Sequence, residues 1–279
     1  MMNKLLIYQS DFGLVDGAIS AMEGVALKVD LDLKIRHLTH DITPYNIFEA
    51  SYRLYQTVEY WPSGTVFVSV VDPGVGTNRK SVVAKTKLGH YIVTPDNGTL
   101  THLKAYIGIV EIREIDKNLY QKGSELSYTF HGRDVYSYTG AMLASGKLSY
   151  ENVGKSFDLD EIICLPLSKV LVEENLVSGK IDILDVRFGS LWTNITRDDF
   201  LSLNIEYGNR VEVTIYNNDT LVYQNNIIYG KSFADVRIGS PILYINSVFK
   251  VGIAINQGSF ASAYNIGVGP SWIVEIRKV

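Results

Sequence analysis

The sequence predicts an α/β protein: an N-terminal domain with a largely parallel central sheet, residues 1–170, followed by a small all-β domain, residues 171–279. Three observations carry this expectation. Up to about residue 165, short apolar runs alternate with longer segments of helical period. After Glu174 the period shortens to two, with Val211, Val213 and Ile215 alternating against Glu212 and Thr214. The run Thr65 to Val71, rich in β-branched residues, passes straight into Asp72-Pro73-Gly74-Val75-Gly76, the form of a buried strand that ends in a ligand-facing loop.

Leu5 to Tyr8 is the first expected strand. Ala18, Met22, Val25, Ala26 and Val29 recur at helical spacing, so Gly17 to Val29 covers it. Lys34 to Leu38 is a second strand, and Ile47 to Glu59 a second helix that Pro62 and Gly64 end. Ser81 to Lys85 and Tyr91 to Thr94 flank Lys87-Leu88-Gly89 as a hairpin, Ile109 to Ile115 is a further strand, and Arg133 to Leu143 is helical. The domain boundary falls within residues 166 to 178. Beyond it, runs at 180–184, 211–215, 221–224, 242–245, 251–255 and 271–277 fit a small barrel or a sandwich.

Composition narrows the function. Of 279 residues, 46% are hydrophobic and 20% charged, which provides for a packed core, and the net charge of -4 offers no footprint for nucleic acid. A small-molecule substrate is the expectation. The single cysteine, Cys164, excludes an internal disulfide framework, and its flanks Ile162, Ile163 and Leu165 predict an inert buried thiol. No apolar run reaches the roughly 18 residues of a membrane span, and the short run before Asp11 is too brief for a signal-peptide core, so a cytoplasmic location is expected.

Polar residues at strand ends then carry the chemistry. The first strand ends in Ser10-Asp11-Phe12-Gly13, the third in Asp72 with Arg79 seven residues on, and His131 precedes the Arg133 helix. A carboxylate, a guanidinium and an imidazole together can orient and polarise one water. Taken singly, Asp72 opens a turn, Arg79 is a solvated charge and His131 is a loop histidine. Asp11-Phe12-Gly13 lacks the other kinase motifs, Gly74-Val75-Gly76 lacks the third glycine of a dinucleotide fingerprint, and no phosphate-binding loop or nucleophile elbow exists. His37 and His40, three apart in or near a strand, are expected on opposite faces, and no metal is expected.

Seven segments in one order carry a resemblance: Ser10-Asp11-Phe12-Gly13, Asp41-Ile42-Thr43-Pro44, Val71 to Gly76 with Arg79, Pro95-Asp96-Asn97-Gly98, Thr129 to Asp134, Asp185-Val186-Arg187-Phe188-Gly189 and Trp192-Thr193-Asn194-Ile195. Across essentially its whole length the chain resembles the S-adenosyl-L-methionine hydroxide adenosyltransferases, relatives of fluorinase and chlorinase. The resemblance implies that the C-terminal domain is a β-barrel, and that homotrimers place each active site between one subunit's N-terminal domain and its neighbour's C-terminal domain. It implies that Asp72, Arg79 and His131 activate water. It further implies that Asp11 holds the ribose hydroxyls and Tyr45 packs on the adenosyl group. On the same footing Asp185 and Ser190 hold the methionine amino end, Phe233 lines the adenine site, Ser247 meets the methionine carboxylate and Asn256 meets the adenine edge. Val248 departs from the arginine of the halogenating relatives.

The implied reaction is hydrolysis of S-adenosylmethionine to adenosine and L-methionine, without metal or organic cofactor. Two other readings compete. Halide transfer to the same carbon is opposed by the anionic Asp72 and by His131, since like charge opposes a bound halide. The short Lys87-Leu88-Gly89 connection also lacks the longer insertion of fluorinase-type relatives. A non-catalytic binding protein would keep Asp11 and Asp185 without needing the cluster of three.

Overall fold

Alternate residues of the first strand face different cores, and this builds the N-terminal layers. Leu6 and Tyr8 of β1 (Leu5–Ser10) pack with Val66, Val68 and Val70 of β3 (Val66–Val70) on one face, while Ile7 and Phe67 pack on the other. All five β3 residues are buried, and each large apolar side chain removed from water contributes about 1.5–3 kcal/mol. In this computed structural model, which describes residues 3–121 and 129–279, the chain divides into two compact units between Leu165 and Pro166. That division falls just before the window expected from the sequence.

The first unit adds β2 (Lys34–Thr39), β4 (Ser81–Thr86), β5 (Tyr91–Pro95) and β6 (Ile109–Glu114) in the order β2-β1-β3-β5-β4-β6. Pairings β1–β2, β1–β3 and β3–β5 are parallel, whereas β4 runs against both β5 and β6. Helix α1 (Ala18–Val29) buries Ile19, Met22, Val25, Ala26 and Val29, so its apolar stripe starts one residue after the expected Ala18. Helix α2 (Ile47–Val58) starts where Asn46 accepts a hydrogen bond from the Glu49 backbone N–H, and it covers the opposite face with Leu54 and Val58. Helix α3 (Tyr138–Ala144) presses on β3 so closely that a Cβ on Gly140 would lie 2.5 Å from Val68 Cγ2.

Parallel pairing sends the carboxyl ends of β1, β2, β3 and β5 to one edge of the sheet. Because β4 runs the other way, its beginning, just after Arg79, reaches that edge as well. Ligands in open sheets of this kind bind there.

The second unit resolves the choice between barrel and sandwich. Its strands are β7 (Leu171–Glu173), β8 (Leu176–Asp185), β9 (Ser190–Thr196), β10 (Arg210–Asn217), β11 (Thr220–Tyr229), β12 (Pro241–Ile245), β13 (Lys250–Ile255) and β14 (Gly269–Lys278). Seven of them follow one another as β14-β10-β11-β12-β13-β9-β8, and β8 then pairs with β14 to close the sheet, leaving β7 outside. Val211, Val213 and Ile215 fill the interior with Phe200, Tyr229 and Phe260. The sequence reading overlooked β7 and β9, whose composition does not alternate, and two five-residue helices, α4 (Arg197–Leu201) and α5 (Phe260–Tyr264).

One expectation is overturned here. Cys164 is exposed, not buried, because the segment after Ile162 runs along the surface and has no strand to cover it. Among the described residues, no helix is long and apolar enough to cross a membrane.

Candidate active site

Arg79 gathers the three residues expected to act on water. Its Nε donates to Asp72 Oδ1 at 2.6 Å, its Nη2 donates to Asp72 Oδ2, and the same Nη2 lies 3.3 Å from His131 Nδ1. A guanidinium only donates, so neutral His131 receives that bond at Nδ1 and carries its hydrogen on Nε2. The Asp72 and Arg79 side chains are 5% and 9% exposed, which shields the pair from solvent screening. His131 titrates below the ordinary histidine range, first because it is partly buried and then because Arg79 repels an added proton, with Asp72 and Asp134 opposing.

Local structure explains how the three meet. Pro73 to Gly76 folds back on itself, with Val75 N–H donating to the Asp72 carbonyl and Thr77 Oγ1 donating to the Gly74 carbonyl, so Arg79 returns to its partner. Asn97, in the loop after β5, donates from Nδ2 to the Val71 carbonyl at 2.9 Å and fixes the backbone that leads into Asp72. His131 stands at the start of a π-helical stretch, Gly132–Ser137, which runs into α3, whereas the sequence suggests a regular helix from Arg133. Such widened turns recur at functional sites.

Two supporting residues escape the sequence reading. Ser81 Oγ accepts from Arg79 Nη1 at 3.1 Å and sits 3.1 Å from the Tyr136 hydroxyl, while the Tyr136 ring lies 5.6 Å beneath the guanidinium carbon. Both are buried, so Arg79 is held from a side that the sequence does not reveal. The available signal is a hydroxyl two residues after Arg79 at the start of a strand.

Asp11 lies in the loop after β1. Its Oδ2 accepts the Tyr45 backbone N–H at 2.8 Å, which joins the loops after β1 and β2. It does not cap α1, since Asp16 accepts the Ala18 N–H instead. Tyr45 is 73% exposed and has φ +67, an uncommon conformation for an aromatic residue and a form of strain that gathers at functional sites. Phe12 packs edge-on to Phe130 at 5.9 Å, and a Cβ on Gly132 would lie 3.1 Å from Phe12 Cε2, so the Asp11 loop abuts the His131 loop.

The relation of His37 to His40 also differs from expectation. His37 Nδ1 and His40 Nε2 are 2.8 Å apart, although strand alternation predicts opposite faces. β2 ends at Thr39, and the chain bends before His40, which turns its ring back toward β1 and onto Ser10 Oγ at 2.7 Å. Among the described residues, no group of three or more His, Cys, Asp or Glu side chains is arranged to hold a metal ion.

In the barrel, Asp185 and Ser190 face each other across the β8–β9 turn, where the Asp185 carbonyl accepts from Gly189 N at 2.7 Å. Tyr244 on β12 collects this end of the barrel. Its hydroxyl accepts from Trp192 Nε1 at 3.1 Å, and its ring centre is 5.1 Å from that of Phe233. Burial raises its pKa. Gly252 makes room for that ring, for a Cβ there would lie 2.6 Å from Tyr244 Cζ. Tyr244, which no sequence signal marks, thus joins Phe233 to β9. Ser247 and Asn256 lie beyond opposite ends of β13, roughly 20 Å apart along a strand of that length. Ser247 is exposed on the β12–β13 turn, and Asn256 donates from Nδ2 to the Val236 carbonyl at 2.9 Å.

Fold and site define a two-unit α/β chain: an open sheet that carries a shielded carboxylate–guanidinium–imidazole cluster at its ligand edge, and a closed barrel with a polar and aromatic end. Residues 6–154 match the model of the SAM hydroxide adenosyltransferase N-terminal domain, and residues 179–273 match that of the C-terminal domain. The chain belongs to the SAM hydroxide adenosyltransferase family. It is 36% identical to the (R)-S-adenosyl-L-methionine hydrolase of Methanocaldococcus jannaschii over 222 residues, 76% of this chain and 77% of the relative. It is 26% identical to a fluorinase of Actinopolyspora mzabensis over 96% of this chain and 95% of that enzyme. A crystal structure of an uncharacterized conserved protein from Thermotoga maritima superposes with a TM-score of 0.90 at 33% identity, over 98% of this chain and 100% of that one.

Proposed function

We propose that this protein hydrolyses S-adenosyl-L-methionine to adenosine and L-methionine by in-line attack of water at C5′. The observation that carries this reading is the cluster of Asp72, Arg79 and His131 at the ligand edge of the sheet. The sulfonium makes methionine a neutral leaving group, so no general acid is needed at sulfur. The demand falls on the nucleophile, which must be held in line and lose a proton as the C–O bond forms.

Donor and acceptor capacity divides the work. Arg79 donates only, and neutral His131 has its one lone pair at Nδ1 turned to Arg79. The Asp72 oxygens each keep a second lone pair, so the carboxylate accepts the hydrogen bond of the attacking water. His131 Nε2–H and the guanidinium stabilise developing hydroxide character. As the new C–O bond forms, the attacking oxygen becomes strongly acidic, so even an arginine-paired carboxylate takes its proton. One water is consumed, the C5′–S bond breaks with its electrons on sulfur, and one proton is released.

Asp11 and Tyr45 hold the ribose and adenosyl group in this reading. Asp185, Ser190, Ser247, Phe233 and Asn256 of residues 171–279 receive the methionine and adenine ends. The active form is a homotrimer in the cytoplasm, with sites completed by a neighbouring subunit's barrel, and no cofactor takes part. The relatives' names specify the R configuration at sulfur, and we carry that preference to this chain.

The test is incubation of the purified protein with S-adenosylmethionine, with and without chloride or fluoride. Adenosine and methionine in equal amounts, unaffected by halide, are expected. Asp72→Ala, Arg79→Ala and His131→Ala should each slow the reaction by about 100-fold or more. A halogenated nucleoside would favour halide transfer, to which the fluorinase relatives point. Binding without turnover would leave a binding protein.

A further inference from the structure

Glu23, His37, His40 and Ser10 form one hydrogen-bonded row from the outer side of α1 to the floor of the Asp11 loop. Its direction follows from its ends. The Glu23 carboxylate only accepts, so His37 Nε2, 3.0 Å away, donates to it. With His37 neutral, Nδ1 accepts the Nε2–H of His40 at 2.8 Å, which leaves His40 Nδ1 to accept the Ser10 hydroxyl at 2.7 Å. Burial pushes His40 down to about 4, so the inner ring of the row stays neutral. Ser10 Oγ then accepts the Phe12 N–H at 3.3 Å, and the His40 carbonyl accepts the Gly13 N–H at 2.9 Å. The residues that follow Asp11 are therefore held by the far end of a row that begins at a half-exposed carboxylate.

We propose that His37 and His40 are positioning residues for substrate binding: the row holds the Asp11 loop in its binding geometry, and a proton taken up at His37 loosens it. This rests on the reading of Asp11 as the ribose ligand. Protonated His37 carries hydrogen on both nitrogens and no longer accepts from His40. His40 must then accept at Nε2 and move its hydrogen to Nδ1. Ser10 Oγ now faces two donors, His40 Nδ1–H and Phe12 N–H, and its own hydrogen loses its acceptor at a fully buried position. Glu23 on α1 lies 3.0 Å from His37, the Tyr8 ring of β1 lies 6.1 Å from His37, and the Asp41 charge acts on His40 from the loop after β2. The hydrogen bonds of the row end on the Asp11 loop, so the proton acts first on affinity.

The test is KM and kcat for S-adenosylmethionine from about pH 5.5 to 8.5, across the ordinary histidine range, for the wild type, His37→Asn, Glu23→Gln and Asp11→Ala. On acidification the wild-type KM should rise roughly tenfold. His37→Asn should show a raised KM that no longer depends on pH, with kcat close to wild type. Glu23→Gln keeps an acceptor for His37 Nε2, so its KM at neutral pH should stay close to wild type. His37 is partly exposed, and matching thermal melts would establish that its variant is folded. A His37→Asn enzyme with the wild-type KM and pH slope, or one altered in kcat alone, would overturn the proposal. If Asp11→Ala raises KM while His37→Asn behaves as wild type, the row fails and the Asp11 reading stands. If Asp11→Ala leaves KM unchanged, both fall.

Discussion

Arg79 grips Asp72 with two parallel N–H groups and turns a third donor to Ser81, whose hydroxyl is shared with Tyr136. The guanidinium is thus oriented from two sides, and its plane is set before any ligand arrives. Planar, bidentate pairing of this kind is what arginine provides and lysine does not. Arg79→Lys should therefore fail to restore the activity lost in Arg79→Ala.

Removing the buttress should cost less than removing the pair. Ser81→Ala leaves Arg79 Nη1 without its partner, and Tyr136→Phe deletes the hydroxyl that holds Ser81. Each should lower kcat by roughly 5- to 30-fold with KM nearly unchanged, since about 1–2 kcal/mol of orienting interaction is lost. Steady-state kinetics reads this directly. A pure stability role would instead lower the melting temperature and leave kcat of the folded enzyme intact.

The imidazole predicts the acid limb of the rate. Burial and the Arg79 charge hold His131 below the ordinary value near 6.5, so the neutral form persists on acidification past that point. Protonation would place a hydrogen on Nδ1 facing the Arg79 donor and break the contact. The plot of log kcat against pH should be flat through neutrality and bend downward only below about pH 6.5. An acid limb centred above that value would contradict the charge arrangement.

In the barrel, Lys250 and Asp182 face each other at 3.5 Å with side chains only 3% and 9% exposed. Burial lowers the lysine pKa and raises that of the aspartate, while each partner's charge opposes the shift of the other. Lys250→Met would strand the carboxylate and should destabilise the protein by about 3–5 kcal/mol, read as the loss in denaturant unfolding free energy. The paired change Lys250→Met with Asp182→Leu should recover most of that loss.

Much of this architecture is legible in the sequence because its signals are periodic and local. Val66–Val70 and Ala18–Val29 reveal themselves by buried runs and helical spacing, and Arg210–Asn217 by alternation. β9 gives no period-two signal, because six of its seven residues are buried and nothing alternates. Strand ends and family likeness point to Asp72, Arg79 and His131, and the structure brings these three together. Ser81, Tyr136 and Tyr244 stayed hidden, since their roles depend on contacts 52 to 57 residues away in sequence or on a single hydroxyl that composition cannot flag. His37 and His40 depart from strand alternation for a simpler reason: His40 lies one residue past the end of β2.

The most direct test of the account is turnover in water enriched in oxygen-18, with mass analysis of both products. Attack of water on C5′ predicts one labelled oxygen in the 5′-hydroxyl of adenosine and none in methionine. Label in an amino-acid product, or adenosine formed without label, would contradict the proposed role of Asp72, Arg79 and His131 in delivering water to that carbon.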